Sequence, residues 1–282
     1  MPEKRTGSPG MSLERFADEN DLCVLMFEVE LSFSAELAFF LRGMRSGSCL
    51  RRALSEKTAV KDVIEACGVP HPEVDLIVGT DLCTGERIAV PFAWQVQAPG
   101  RVEIFGVRAP ADVLPQAPRL QTKHWRRFVA DGHLGKLARN LRLLGIDTAY
   151  ERDADDRRLL EIMAAEDRAL LTRDRRLLMH SIVRHGYCPR SVHAEEQTRE
   201  VLQRFDLTSE SGHVVPYQRC LRCNSLLMSV PKSEVVTQLS GEPLTLRFYD
   251  DFRRCSGCGR IYWPGTHFEK LTARLKRLIQ PS

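Results

Sequence analysis

The chain has 282 residues, 43% of them hydrophobic and 28% charged, with a formal net charge of +4. This is the composition of an ordinary soluble globular protein with room for two domains or three. No apolar run approaches the roughly 18 residues of a membrane helix, and the opening MPEKRTGSPGMSLERFADEND lacks the apolar core of a secretory signal, so no membrane contact is expected and the expected location is cytoplasmic.

Residues 1–21, rich in Ser, Gly, Pro and charge, read as a flexible N-terminus. Charge is unevenly spread beyond them. Residues 1–122 carry 13 Lys and Arg against 17 Asp and Glu, whereas residues 123–282 carry 28 against 20. A basic C-terminal part suits a polyanionic partner, although solvated surface charge gives the same count.

Residues 22–108 form a first unit. VLMFEVELS alternates like a strand, and ELAFFLRGM and CLRRALS follow. TAVKDVIEACGVP reads as a helix with Thr58 as its N-cap, an apolar stripe of Val60, Val63, Ile64 and Cys67, and Gly68 as its stop. EVDLIVG and RVEIFGV are strands around the turn-rich TDLCTGERI. Strand, helix and returning strands in so short a span imply a small α+β domain. TAVKDVIEACGVPHPEVDLIVG followed by APGRVEIFGV resembles a β-grasp, ubiquitin-like domain of the sulfur-carrier type. Such carriers act through a C-terminal Gly-Gly. Here the segment runs on into GVRAPADVLPQAPRL, with no Gly-Gly and no free end. The resemblance therefore implies a binding or structural role, with a protein partner for the β-grasp domain. Residues 109–122, rich in Pro and Ala, read as an extended linker.

Residues 123–205 form a second unit in which strands alternate with helices. WRRFVAD is a strand ending in Asp131. GHLGKLARNLRLLG is an amphipathic helix that buries Leu134, Leu137, Ala138, Leu141 and Leu144 and stops at Gly145. IDTAYER is a strand, DADDRRLLEIMAAED a helix, ALLTRD a strand and RRLLMHSIVRHG a further helix. CPRSVHAEEQTREVLQRF supplies a short strand and a last helix. The alternation predicts a parallel sheet covered on both faces.

Two of these strands end in acids, Asp131 and Asp174, and the middle one leads into a helix opened by Asp153, Asp155 and Asp156. Parallel strands bring such ends to one edge of the sheet. Converging carboxylates repel unless a cation neutralises them, and hard oxygen ligands suit Mg²⁺ or Mn²⁺. The plainer reading makes each acid a helix cap or a turn residue. The segment from FVADGHLGKLARNLRLLGID to LLTRDRRLL resembles the PIN-like ribonucleases of the Mut-seven C-terminal type, whose clustered acids hold a divalent metal and cut single-stranded RNA. The resemblance implies Asp131, Asp156 and Asp174 as catalytic carboxylates, Asp155 as the substitute for the middle one, and Thr172 as a supporting hydroxyl. Arg173, Arg175 and Arg176 would meet phosphates. Lys136, Arg139 and Arg142 on the first helix of the unit would extend that track. His133, two residues after Asp131, is more ordinary as a capping or exposed residue.

Residues 206–282 hold two C-x-x-C pairs, Cys220 with Cys223 and Cys255 with Cys258, separated by 31 residues. Two such turns complete a tetrahedral, structural Cys₄ zinc site, here with a looped-out insertion. Binding of Zn²⁺ would contribute of order 10 kcal/mol to folding this unit. Arg219, Arg222, Arg253, Arg254 and Arg260 crowd the cysteines among Tyr249, Phe252, Tyr262 and Trp263. Those rings suit either stacking on unpaired bases or packing of the ribbon. His267 is a spare metal ligand, and the remaining five cysteines read as packing residues.

The expected architecture is α/β: a PIN-like parallel sheet flanked by helices, with an N-terminal β-grasp α+β domain and a C-terminal zinc ribbon. The expected function is a metal-dependent ribonuclease acting on single-stranded RNA. A non-catalytic nucleic-acid-binding ribbon protein is the alternative, and a ubiquitin-like or sulfur-carrier-type adaptor the second.

Overall fold

The computed structural model describes residues 26–41, 49–108, 110, 112–121, 124–208 and 214–279. The lead-in 1–21 and parts of 109–122 lie outside them. The first unit is built from β1 (Phe27–Phe33), a 3-10 turn Ala35–Phe40, β2 (Cys49–Leu54), β3 (Thr58–Ala59), α1 (Val60–Ala66), β4 (Val74–Thr80), β5 (Arg87–Ala89), β6 (Gln95–Val96) and β7 (Gly100–Gly106). Five strands form a sheet in the order β2-β1-β7-β4-β5, with β1 and β7 parallel and their outer neighbours antiparallel. Val60, Val63 and Ile64 of α1 are buried in the same core as Val29, Leu31, Val102 and Ile104 of the sheet. The helix starts later than the sequence implies. Thr58 pairs with Val96 in the short β3–β6 ladder, and its hydroxyl donates to the Glu56 carbonyl at 3.0 Å, so it caps nothing. Gly68 ends the helix in the left-handed region, φ +93°, where a side chain would be strained.

The second unit comprises β8 (Arg127–Ala130), α2 (Gly135–Leu143), β9 (Asp147–Tyr150), α3 (Asp156–Glu166), β10 (Ala169–Leu171), α4 (Arg175–Leu178), β11 (Gly186–Tyr187) and α5 (Ala194–Arg204). Its four strands are all parallel, in the order β11-β10-β8-β9. The apolar cores of β8 and β10 are buried on both faces, as interior parallel strands require. Phe128, Ala130, Ala169 and Leu171 pack with Leu137, Leu141, Val201 and Leu202 of α2 and α5. Val129 and Leu170 point the other way and join Leu159, Ile162 and Met163 of α3. The expected stripe of α2 is buried throughout. Its stop, Gly145, has φ +83°, and a Cβ there would collide with the Val215 carbonyl oxygen.

Two expectations are corrected here. RRLLMHSIVRHG holds only one helical turn, α4, after which Val183 turns into the core and Ile182 stays exposed. The short strand β11 precedes CPRSV rather than lying in it. Gly186 can sit opposite Leu170 because a side chain there would strike Leu178. Within CPRSV, the Cys188 N–H donates to Glu73 and the Arg190 and Ser191 N–H groups to Glu200, so these three are taken from any ladder.

The face covered by α3 continues into the core of the first unit as one cluster. A buried ion pair crosses the junction: Arg190 donates to both Glu73 oxygens, at 3.0 and 2.7 Å, and its guanidinium lies over the Phe40 and Tyr187 rings. His71 reaches the Val183 carbonyl at 2.6 Å. The stretch expected as an extended linker folds back instead. Leu120 and Gln121 donate to Asp75, and the Gln121 amide donates to the His71 and Val74 carbonyls.

The last part contains β12 (Leu227–Val230), α6 (Pro243–Phe248), β13 (Phe252–Cys255), β14 (Ile261–Tyr262) and α7 (Thr266–Ile279). The strands form an antiparallel sheet in the order β12-β13-β14. Phe252 is fully buried, with Tyr249, Ile261 and Trp263 packed around it, so these rings build the ribbon's own small core. The α7 helix sends Leu275 and Leu278 into the α2–α5 cluster. Among the described residues, no helix is long and apolar enough to cross a membrane.

Glu73 is 1% exposed and accepts from both Arg190 and the Cys188 amide. Removing one partner of a buried pair strands the other charge, at a cost of about 3–5 kcal/mol. Arg190 can still reach solvent, so Glu73→Gln should cost about 3 kcal/mol, read as a lower urea midpoint with an unchanged slope. A change within experimental error would mean that the two units do not lean on this pair.

Candidate active site and metal centre

The pairing of β8 with β10 fixes the strand-end acids. Ala130 sits opposite Leu171, and the Asp131 N–H donates to the Leu171 carbonyl at 3.0 Å. Thr172 comes next and is fully buried. Its hydroxyl donates to Asp131 Oδ2 at 2.7 Å and accepts the Asp174 N–H at 2.9 Å. Asp131 Oδ1 accepts the His133 N–H at 3.2 Å. Asp174 Oδ1 accepts the N–H groups of Arg176 and Leu177, at 2.8 and 3.3 Å, and so caps α4.

The middle acids lie elsewhere. Strand β9 flanks β8 on the side away from β10. Asp155 caps α3 by accepting the Arg158 N–H at 2.8 Å, and Asp156 is the exposed first residue of that helix. Among the described residues, no three carboxylates bring ligand atoms within 4.8 Å of one another. Asp131 and Asp174 are joined through Thr172, and neither Asp155 nor Asp156 adds a third carboxylate within 4.8 Å of both. An ionised carboxylate offers about four acceptor sites, and the hydrogen bonds above occupy two on each of Asp131 and Asp174. Two oxygen-donor groups with free lone pairs at one sheet edge fit a hard divalent cation. As the side chains stand, the third carboxylate does not complete the set.

An open groove of about 1420 Å³ is lined by chain neighbours of these acids, though not by the acids themselves. Gly132 to Leu137, directly after Asp131, line it together with Arg173, directly before Asp174. Lys136 and Arg173 are exposed there, and His133 also borders it. Arg139 is exposed but does not line the groove. Two basic residues are placed otherwise than the sequence implies. Arg175 donates to the Phe39 and Phe40 carbonyls at 3.0 Å each, so its charge faces the first unit. Arg142 is 3% exposed. At 100° per residue it lies about 120° around the helix from Lys136, on the inner face.

The second site is the cysteine quartet. The four Sγ atoms of Cys220, Cys223, Cys255 and Cys258 lie within 4.8 Å of one another. Cys220 to Cys258 is 3.7 Å and Cys223 to Cys255 is 3.3 Å. Zn–S bonds of about 2.3 Å in a tetrahedron require edges of about 3.8 Å, so the quartet could hold zinc with little adjustment. Burial opposes ionisation of Cys223, but hydrogen bonds with Ser225, Cys255 and Cys258 outweigh it and hold the thiol down at about 6. The side chain of His267 lies outside the described residues.

The first cysteine knuckle is anchored to the parallel sheet by Arg142, which spacing assigns to a phosphate track, and by Asn224 and Asp147, which spacing does not single out. Arg142 donates to the Thr148 and Arg222 carbonyls, at 2.9 and 2.8 Å. Asn224, in the left-handed region at φ +73°, accepts the Thr148 N–H on β9 and donates to Asp147 at 2.7 Å. Asp147 also pairs with Arg168 and Arg219, at 2.5 and 3.2 Å. A positive φ at a non-glycine is uncommon and is best tolerated by Asn and Asp. That was the one trace of this anchor in the sequence.

The family model of the Mut7-C RNAse domain matches residues 126–275, and that of the Mut7-C ubiquitin domain matches residues 26–112. The chain belongs to the Mut7-C family. No curated protein and no solved structure matches it. In this Mut7-C chain the RNAse match runs unbroken from the parallel sheet through both cysteine pairs, the same stretch that Arg142, Asn224 and α7 hold together.

A charged hydrogen bond contributes about 1.5–3 kcal/mol. Arg142→Met should therefore cost at least about 1.5 kcal/mol and speed zinc loss to a chelator, followed with a colorimetric zinc indicator. Unchanged stability and unchanged zinc release would mean that the knuckle is held by its own metal alone.

Proposed function

We propose that this chain is a metal-dependent ribonuclease that hydrolyses phosphodiester bonds of single-stranded RNA. The observation that carries this reading is the Asp131–Thr172–Asp174 linkage across two neighbouring strand ends of a Mut7-C RNAse domain; the chain neighbours of the two acids, Gly132 and Arg173, line a basic groove. In this reading Asp131 and Asp174 hold Mg²⁺ or Mn²⁺, which when bound supplies Lewis-acid stabilisation of charge on the phosphoryl group. Asp156, or Asp155 in its place, completes the set as the start of α3 adjusts. Thr172 fixes the Asp131 carboxylate by donating to Oδ2, which keeps the other lone pairs turned outward. Lys136 and Arg173 hold the RNA backbone, and Arg139 extends the contact. Arg175 acts through the first unit instead of touching RNA. The Cys₄ site holds structural Zn²⁺. The ubiquitin-like domain offers a surface for a protein partner, and the setting is cytoplasmic.

A non-catalytic RNA-binding protein remains the second reading. It is favoured by the capping roles of Asp155 and Asp174 and by the absence, among the described residues, of three carboxylates with ligand atoms within 4.8 Å of one another. The two readings divide on cleavage.

End-labelled single-stranded RNA should be cut with Mn²⁺ or Mg²⁺ and left intact with EDTA. Asp131→Asn and Asp174→Asn should each abolish cutting while RNA binding persists. Thr172→Val keeps the volume but removes the hydroxyl, and changes at such supporting groups cost about 10–100-fold in activity. Intact RNA under every metal, with binding unaffected by either Asn variant, would leave only the binding reading.

A further inference from the structure

The basic groove is lined by more of the molecule than the parallel sheet. Arg199 comes from α5, Arg222 from the first cysteine knuckle, Arg274 from α7 and Arg152 from the turn after β9. With Lys136 and Arg173 this makes six cations. Two carboxylates, Glu195 and Glu196, share the lining. Both are engaged: Glu195 pairs with Arg277 at 3.0 Å and Arg274 at 3.6 Å, and Glu196 accepts the Ser191 hydroxyl at 2.6 Å. Lys136, Arg152, Arg173 and Arg222 are exposed and form no ion pair among the described residues. Some exposed arginines elsewhere are paired, as Arg87 is with Glu103, Arg101 with Glu30 and Arg158 with Glu151, whereas Arg139, Arg176 and Arg184 form no ion pair among the described residues.

Uncompensated cations in a concave surface focus a positive potential. Guanidinium groups match phosphate oxygens with paired donors. The rings of His133, His193 and Tyr150 also border the groove, and flat rings beside cations are what unpaired bases stack on. Arg222 is held in place from behind, since its carbonyl accepts from buried Arg142 at 2.8 Å.

We propose that this composite groove is the binding track of the single-stranded RNA, with Arg152, Arg199, Arg222 and Arg274 as further phosphate-binding residues. The cysteine knuckle and the C-terminal helix are then part of the substrate site as well as a brace for the fold. The identity of the strand rests on the ribonuclease reading. The track itself is tested by binding alone.

The test uses the full chain carrying Asp174→Asn and a fluorescein-labelled oligouridylate, with anisotropy titrations over a range of NaCl. Arg152→Ala with Arg222→Ala is compared with Arg51→Ala with Arg157→Ala, which removes two charges outside the groove. Zinc content and circular dichroism check that each variant is folded. The groove pair should weaken binding about tenfold and flatten the salt dependence by about 0.7 in slope for each phosphate that is no longer neutralised. The control pair should change neither. Equal weakening by both pairs, or an unchanged affinity for the groove pair, overturns the proposal. Displacement of the oligouridylate by a lower concentration of polyglutamate would assign the groove to an acidic peptide and also overturn it. Loss of binding in the groove pair, with no cutting by the wild-type chain under any metal, would uphold the track and remove the nuclease reading. Cutting by the wild-type chain, with full binding by the groove pair, would do the reverse.

Discussion

The candidate site depends on the register between two buried parallel strands. Because Ala130 faces Leu171, the residues just beyond them emerge side by side, and one buried hydroxyl can reach both. Thr172 accepts from the Asp174 amide and donates to Asp131, so the Asp131 carboxylate is oriented by the neighbouring strand end, while the Asp174 carboxylate is held by the first amides of α4. A one-residue slip of β10 would carry Thr172 to the other face of the sheet and break its bond to Asp131. Burial on both faces forbids that slip: Phe128 and Leu171 belong to one cluster, Val129 and Leu170 to the other.

Each face is then closed by a part of the chain that also reaches the site. On the α3 side, the ubiquitin-like unit shares the core and grips Arg190 through Glu73. It also holds Arg175, the residue directly after Asp174, through the Phe39 and Phe40 carbonyls. On the α2 side, Arg142 and Asn224 hold the first cysteine knuckle, and α7 adds Leu278 to the core. The ubiquitin-like unit and the ribbon therefore do more than flank the sheet. One fixes the start of α4, and the other lines the groove.

The sheet was legible in the sequence because its signals are local. Short apolar runs, an amphipathic helix with Gly145 behind it and acids at strand ends each follow from spacing alone. The cysteine quartet was legible for the same reason. What spacing missed is long-range. Lys136, Arg139 and Arg142 look like one basic stripe, but six residues carry Arg142 about 120° from Lys136, and a buried guanidinium needs carbonyl partners about 80 residues away. Arg175 looks like a phosphate-binding residue until Phe39 and Phe40 are folded against it. The single-turn α4 was over-extended because RRLLMHSIVRHG has a helical pattern, whereas Val183 is drawn into the core shared with the first unit. The acids were each read two ways: Asp155 and Asp174 do cap helices, and Asp174 is joined to Asp131 through Thr172, but among the described residues no third carboxylate joins them.

The central claim is that a hard cation binds where β8 and β10 end. Anomalous scattering from crystals soaked in Mn²⁺ tests it most directly, because it reports the ion's position whether or not RNA is cut. The account predicts a manganese peak within bonding distance of carboxylate oxygens of Asp131 and Asp174, lost in the Asp131→Asn protein. A strand edge without a peak at saturating Mn²⁺, in crystals that show the zinc signal at the cysteine quartet, would contradict it.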